Sequence, residues 1–276
     1  MKVPGFSDIG KQTKELLYGG KGGVFQFDQK LKVTKKTSDG VTFALSSAKK
    51  GDGVEADVKT TYNFDPYSVE VTANHTGKVG LKATVSDLLT PGLKCTASVP
   101  LPMSSPAKLS VGYVRPYLNT TANVELAASP KVDASMATGH GNVVVGGDCS
   151  YDTSKGDLSK WALGAGYSVP EYNVGLLWAD KGDTVKAMYS HKLNDGVAGA
   201  EIVKSFKGEG STKFTLGMSH PTNSGANVKY KFDSAGVLSV LWEQSLDKST
   251  KIGLSTQTNV KDIEKGAKLG VSLEMN

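Results

Sequence analysis

The chain has 276 residues, of which 38% are apolar, with a mean hydropathy of −0.24 and a formal net charge of +5. These values exclude a bundle of membrane helices: the longest apolar runs, such as VGLLWA from Val174, fall far short of the roughly 18 to 20 residues a spanning helix needs. They do not exclude a strand barrel, whose spans of about 9 to 11 alternating residues average to a soluble-looking hydropathy.

The opening MKVPGFSDIGKQ has no apolar stretch of signal-peptide length and no Arg-rich transit pattern, so secretion is not expected and the sequons at Asn74 and Asn119 read as chance. Cys95 and Cys149 lie far apart without CxxC spacing, which argues against a disulfide scaffold or a zinc site. Lysine supplies nearly all the cations, and a basic balance keeps nucleic acid, anionic lipid and anionic solutes open as partners.

The first segment has helical periodicity. Phe6, Ile9, Thr13, Leu16 and Leu17 share one side and Lys11, Lys14 and Glu15 the other, with Ser7 or Asp8 as a cap. At roughly ten to twelve residues such a helix is marginal alone in water, so it must lean on something. It runs into LYGGKGGVFQF, where Gly19, Gly20, Gly22 and Gly23 surround Lys21 and let the chain turn sharply.

From Val24 onward the period is two. Phe25, Phe27, Leu31 and Val33 alternate with Gln26, Asp28, Lys30, Lys32 and Thr34, and similar runs recur to Leu269–Met275. Turn signals fall between them, including SDG at 38–40, KKGDG at 49–53 and KGD at 181–183. About eighteen or nineteen such segments, some thirteen to fourteen residues apart, match barrel strands joined by hairpins. No linker divides them, so one domain is expected over 1–276, with the helix and hinge in 1–23 and strands in 24–276.

Alternation alone does not say which face is wet. A soluble barrel packs its apolar face inward; a membrane barrel turns that face to lipid. A closed sheet of this many strands has an interior too wide for side chains to fill, so a polar interior holding water is favoured. Tyr62, Tyr67, Tyr113, Tyr151, Trp161, Tyr172 and Trp178 lie near strand ends, where interface girdles form.

With these elements assigned, the sequence resembles the voltage-dependent anion channels, the porins of the mitochondrial outer membrane, and its plant and algal members most. The resemblance runs through PGFSDIGKQTKELLY, PGLK at Pro91–Lys94, VGYVRPYLNTTANVELAASPKV, YDTSKGDLSKW, GDTVKAMYSHKLN and KLGVSLEM. It implies an all-β transmembrane barrel of about nineteen strands with the short N-terminal helix inside the pore. The implied function is a voltage-gated, weakly anion-selective channel passing ions, ATP, ADP and other small metabolites. Lipid is then the surrounding partner and a homo-oligomer is allowed; no dedicated nucleic-acid partner and no cofactor is implied. The implied location is the mitochondrial outer membrane, with the plastid outer envelope as alternative. Lys268, Gly270, Leu273 and Met275 fit the family's sorting signal, and equally a plain terminal strand.

With polar faces inward, Lys30, Lys32, Lys59, Lys82, Lys213, Lys229 and Lys231 are expected to line the pore with Glu70, and cations to predominate. The family's nucleotide contacts correspond to Lys11 most clearly, then to Lys14, Lys21 and Lys94. Animal members often have a lipid-facing glutamate on the strand matching Tyr67–Asn74; here alternation turns Glu70 to the lumen instead. His75, His140, His191 and His220 share no metal-like spacing, and neither GxSxG nor a complete P-loop occurs, so no enzyme is expected.

Overall fold

The computed structural model describes residues 3–20, 24–51, 53–102, 105–208, 210–262 and 266–276. A short 3-10 turn (Phe6–Asp8) and helix α1 (Lys11–Tyr18) precede the strands. The first ten are β1 (Gln29–Lys36), β2 (Val41–Lys50), β3 (Gly53–Phe64), β4 (Tyr67–Asn74), β5 (Val79–Ser86), β6 (Leu93–Leu101), β7 (Ala107–Arg115), β8 (Leu118–Leu126), β9 (Lys131–His140) and β10 (Val143–Asp152). The remaining nine are β11 (Asp157–Ser168), β12 (Tyr172–Ala179), β13 (Thr184–Leu193), β14 (Gly196–Ser205), β15 (Ser211–Pro221), β16 (Asn227–Asp233), β17 (Val237–Ser245), β18 (Thr250–Asn259) and β19 (Lys268–Met275).

All nineteen form one closed sheet. Consecutive strands are antiparallel, so the first and last of an odd number must run the same way. β1 and β19 accordingly meet as a parallel pair, from Gln29 opposite Val271 to Val33 opposite Met275. Closure leaves no strand edge to satisfy elsewhere. At the rims, hairpin chemistry is local: Asp247 accepts from the Ser249 hydroxyl and from the Ser249 and Thr250 amides. Those bonds stabilise its charged form and hold its carboxyl below the usual range.

The alternation resolves into two chemically different faces. Val69, Val71, Leu81, Leu109, Leu176, Leu216 and Leu254 stand exposed on the outside. Lys59, Thr72, Lys82, Ser98, Lys213 and Ser272 share the face that carries α1. Aromatic chains mark both rims of the outer face. Tyr62, Phe64 and Tyr67 follow one another at 5.1 and 5.5 Å, Tyr167, Tyr172 and Tyr189 at 5.8 and 6.3 Å, and Trp161 meets Trp178 edge-on at 5.6 Å on the opposite rim. An apolar band between aromatic girdles is the outer surface of a membrane-spanning barrel.

Two expectations from the sequence need correcting. The helix is eight residues long, and Gly10 stands at its N-cap in the left-handed region (φ 69°), with neither Ser7 nor Asp8 capping it by a side chain. Phe6–Asp8 form the separate 3-10 turn, in which Asp8 accepts from the Gly5 amide at 3.1 Å. The first strand begins at Gln29, not Val24. Residues 24–28 instead run along the inside of the seam, where the Gln26 carbonyl accepts from the Ser255 hydroxyl and abuts Gly270. Of the hinge, Gly19 and Gly20 are described, and Gly19 takes φ 108°, open chiefly to glycine; Lys21, Gly22 and Gly23 lie outside the described residues.

The N-terminal segment is seated on glycines of the wall. A Cβ added to Gly217 would lie 2.5 Å from Leu17 Cδ2, one at Gly199 2.9 Å from Leu16 Cδ2, one at Gly175 3.0 Å from Gly10 Cα and one at Gly164 3.1 Å from Phe6. Val3, Phe6 and Ile9 pack further along on Ala137, Val144, Ala162 and Leu177. Here the inner face of the wall is apolar because it is covered. That is why VGLLWA is continuous: Leu176 faces outward and Leu177 faces Phe6.

Two outcomes are expected. Arginine in place of Leu216 should destabilise the barrel by roughly 2 to 4 kcal/mol in a lipid-refolding titration, while arginine in place of Thr72 should be tolerated; equal costs would invert the faces. Gly217→Ala should lift the helix, so that a Thr13→Cys reporter, fully buried at wild-type Thr13, labels faster with a water-soluble maleimide. An unchanged rate would mean that Gly217 does not set the approach.

Candidate functional site

The interior combines a charged wall with a docked helix. Leu17 and Thr13 are fully buried and Leu16 is 5% exposed, so the predicted apolar side of α1 faces β13, β14 and β15. Glu15, Tyr18 and the two lysines occupy its other flanks. Lys11 pairs with Asp8 at 3.0 Å and Lys14 donates to the Ser7 carbonyl at 3.2 Å. Both N-terminal lysines are thus held locally across the 3-10 turn.

The C-terminal end of the helix is fastened to the wall by three contacts. Lys229, 3% exposed on β16, donates to the Glu15 carbonyl at 3.3 Å, where a cation also complements the helix dipole. Lys231 lies over the rings of Tyr18 and Phe25, 5.6 and 5.2 Å from their centroids. Tyr18 donates its hydroxyl to Glu201, which is 7% exposed on β14. Lys229 and Lys231 therefore act here as anchors of the helix, which a reading by strand parity did not foresee.

The seat is also imperfectly satisfied. Ser190 donates to Gln12 at 3.4 Å, but Thr13 Oγ1 and Asn173 Oδ1 are buried without a protein hydrogen-bond partner. A buried polar atom left so costs about 1 to 3 kcal/mol. Good apolar contact and a polar defect oppose each other beneath one short helix.

Among the other residues picked out from sequence, Lys30, Lys32, Lys59, Glu70, Lys82 and Lys213 all stand on the face that bears the helix. Lys59 pairs with Glu70 at 2.7 Å and Lys32 with Glu274 at 3.3 Å across the seam. Glu70 thus points inward. Lys94 is also on this face, opposite Ser86 and Gly112 on β5 and β7, but β6 lies nearly half the circumference from the helix seat. The structure does not bring it together with Lys11 and Lys14. On β19, Lys268 and Gly270 face inward while Leu273 and Met275 face outward.

Sequence reading missed two groups of residues. Glu125, Asp133, Asp148, Glu201 and Glu243 also face inward, as their cross-strand partners Lys108, Asn123, Ser135, Met188 and Asn227 show. Glu201 was hidden because GVAGAEIV offers no clean alternation. The same registers turn Lys131, Lys160, Lys186 and Lys192 inward as well, so cations still predominate. The wall glycines were missed too, although glycine inside a strand is a known sign of close backbone approach.

The comparisons with known proteins agree with this architecture. The sequence profile of the eukaryotic porin family matches residues 2–270. The mitochondrial outer membrane protein porin 2 of Oryza sativa subsp. japonica is 34% identical over 97% of this chain and 94% of its own length. The mitochondrial outer membrane protein porin of 36 kDa of Solanum tuberosum is 32% identical over 100% and 99%, and porin 4 of Arabidopsis thaliana 30% identical over 98% and 97%. A nineteen-stranded barrel with an apolar outer band, a charged interior and an internal helix, matched end to end by such relatives, belongs to the eukaryotic porin family and to the mitochondrial outer membrane.

Proposed function

We propose that the chain forms a voltage-dependent, weakly anion-selective pore that passes ions, nucleotides such as ATP and ADP, and other small anionic metabolites. The observation that carries the reading is a closed barrel whose inner face holds more lysines than carboxylates, with a charged helix docked on that face through a few separable contacts. Several interior lysines are already compensated, as in the pairs Lys59–Glu70, Lys108–Glu125 and Lys32–Glu274. In a wide wet lumen the remainder is screened beyond about 8 Å, which favours a mild preference over strict exclusion. Lys11 and Lys14 on the helix would meet a nucleotide passing it, with Lys186 and Lys213 on the wall, and Lys21 follows in the hinge. Lys94 would act on the opposite wall. Gly270 and its neighbours on β19 would serve as the sorting signal.

In a planar bilayer under a salt gradient the reversal potential should favour chloride over potassium, modestly. A cation preference at neutral pH would overturn the lumen assignment.

Gating follows from the helix seat. One elementary charge crossing the whole field is worth about 2.3 kcal/mol per 100 mV, so each kcal/mol of docking energy shifts the closing voltage by about 40 mV if one charge moves, and by proportionally less if several do. Tyr18→Phe removes the hydroxyl that satisfies Glu201 and should close the channel at lower voltage. Thr13→Val removes an unpartnered buried hydroxyl and should raise the closing voltage. If both variants close at the wild-type voltage, the helix is not the gate and deformation of the barrel must be.

A further inference from the structure

A row of side chains crosses the wall nearly opposite the helix, strand by strand. Glu70 on β4, Lys82 on β5, Ser98 on β6, Lys108 on β7 and Glu125 on β8 are successive Cα partners. Both ends of the row are neutralised: Glu70 is turned away to Lys59 at 2.7 Å, and Glu125 holds Lys108 at 2.9 Å. Lys82, in the middle, has no ion pair among the described residues, so the row together with Lys59 carries one uncompensated positive charge.

On the next rung toward the rim stand Gly80 and Pro100, which are Cα partners of each other. Neither sends a long side chain into the lumen, and a Cβ at Gly80 would meet nothing nearer than the Thr72 carbonyl at 4.0 Å. The result is a recess of about 310 Å³ at the mouth of the barrel, lined among others by Glu70, Thr72, Lys82, Ser98, Ser105 and Lys108. Two ammonium groups flank it, the Thr72 and Ser105 hydroxyls supply donors while that of Ser98 donates to the Lys108 carbonyl at 3.5 Å, and its one carboxylate is already engaged.

We infer that this recess is a second anion site, selective for a compact diphosphate. Lys82 supplies the net charge, Lys108 a second ammonium, and Thr72 and Ser105 the neutral donors. Two adjacent cations with hydroxyls match the charge density of linked phosphates better than that of chloride. The site is separate from the helix seat on β13 to β16. The inference rests on the inner face of β4 to β7 being wet, as the porin reading requires.

The test uses the full chain refolded into lipid, with Cys95→Ser and Cys149→Ser and a Ser98→Cys reporter. Inorganic pyrophosphate should slow labelling of this reporter by a water-soluble maleimide several-fold more than chloride at the same ionic strength. Lys82→Gln should abolish the protection and Lys82→Arg keep it, while Glu70→Gln should strengthen it. A Ser272→Cys reporter across the lumen should label at one rate in all variants, which verifies that each is folded. Protection no greater than chloride gives, or protection that survives Lys82→Gln, overturns the inference. The reversal potential of the same protein is an independent measurement: an anion-selective pore without protection loses only the recess, and protection in a non-selective pore loses only the selectivity.

Discussion

The structure depends on one constraint: in hydrocarbon, each unpaired backbone amide or carbonyl costs several kcal/mol, so a chain that crosses lipid as strands must close its sheet completely. Nineteen strands laid up and down can close only if the first and last are parallel neighbours, and β1 and β19 are. That seam receives reinforcement from inside. Lys32 and Glu274 pair across it, while Gln26 lies against Gly270 and accepts from Ser255. A side chain at position 270 would push this bracing segment away.

A closed sheet this wide has an interior that its own side chains cannot fill, and the N-terminal segment uses part of that space. An eight-residue helix has little stability alone. It exists because glycines at 199 and 217 let Leu16 and Leu17 reach the wall, and because Lys229, Lys231 and Glu201 engage its C-terminal end. The same wall thus serves two solvents, lipid outside and a peptide surface within, at β9 to β16. Apart from the segment that braces the seam, its inner face elsewhere is left to water and ions. Packing and conduction are divided by sector and not by layer.

Much of the barrel was legible in the sequence, because period-two alternation reports a sheet with two unlike faces. The faces of β4, β15 and β19 followed directly from Val71 against Thr72, Leu216 against Thr215 and Leu273 against Ser272. The failures cluster where that condition lapses. Along VGLLWA and GVAGAEIV both faces meet nonaqueous surroundings, so parity fades, and Glu201 was lost with it. Residues 24–28 alternate in composition yet precede the first strand, bracing the seam from within, where the Asp28 carbonyl accepts from the Val271 amide at 3.0 Å. The roles of Lys229 and Lys231 were illegible for a different reason: strand position gives the face of a lysine, but only the fold shows that a helix end lies above it. The interruptions in the pattern, read as a group, outline the helix seat.

The parallel seam also has a topological consequence. A barrel with an even number of strands returns its chain to the side from which it started. Here the polypeptide enters β1 at one rim and leaves β19 at the other, five residue pairs of parallel register fixing the direction. The start of β1 and the end of β19 therefore face different aqueous compartments, so a group attached at one is reached from the side of the other only through the pore.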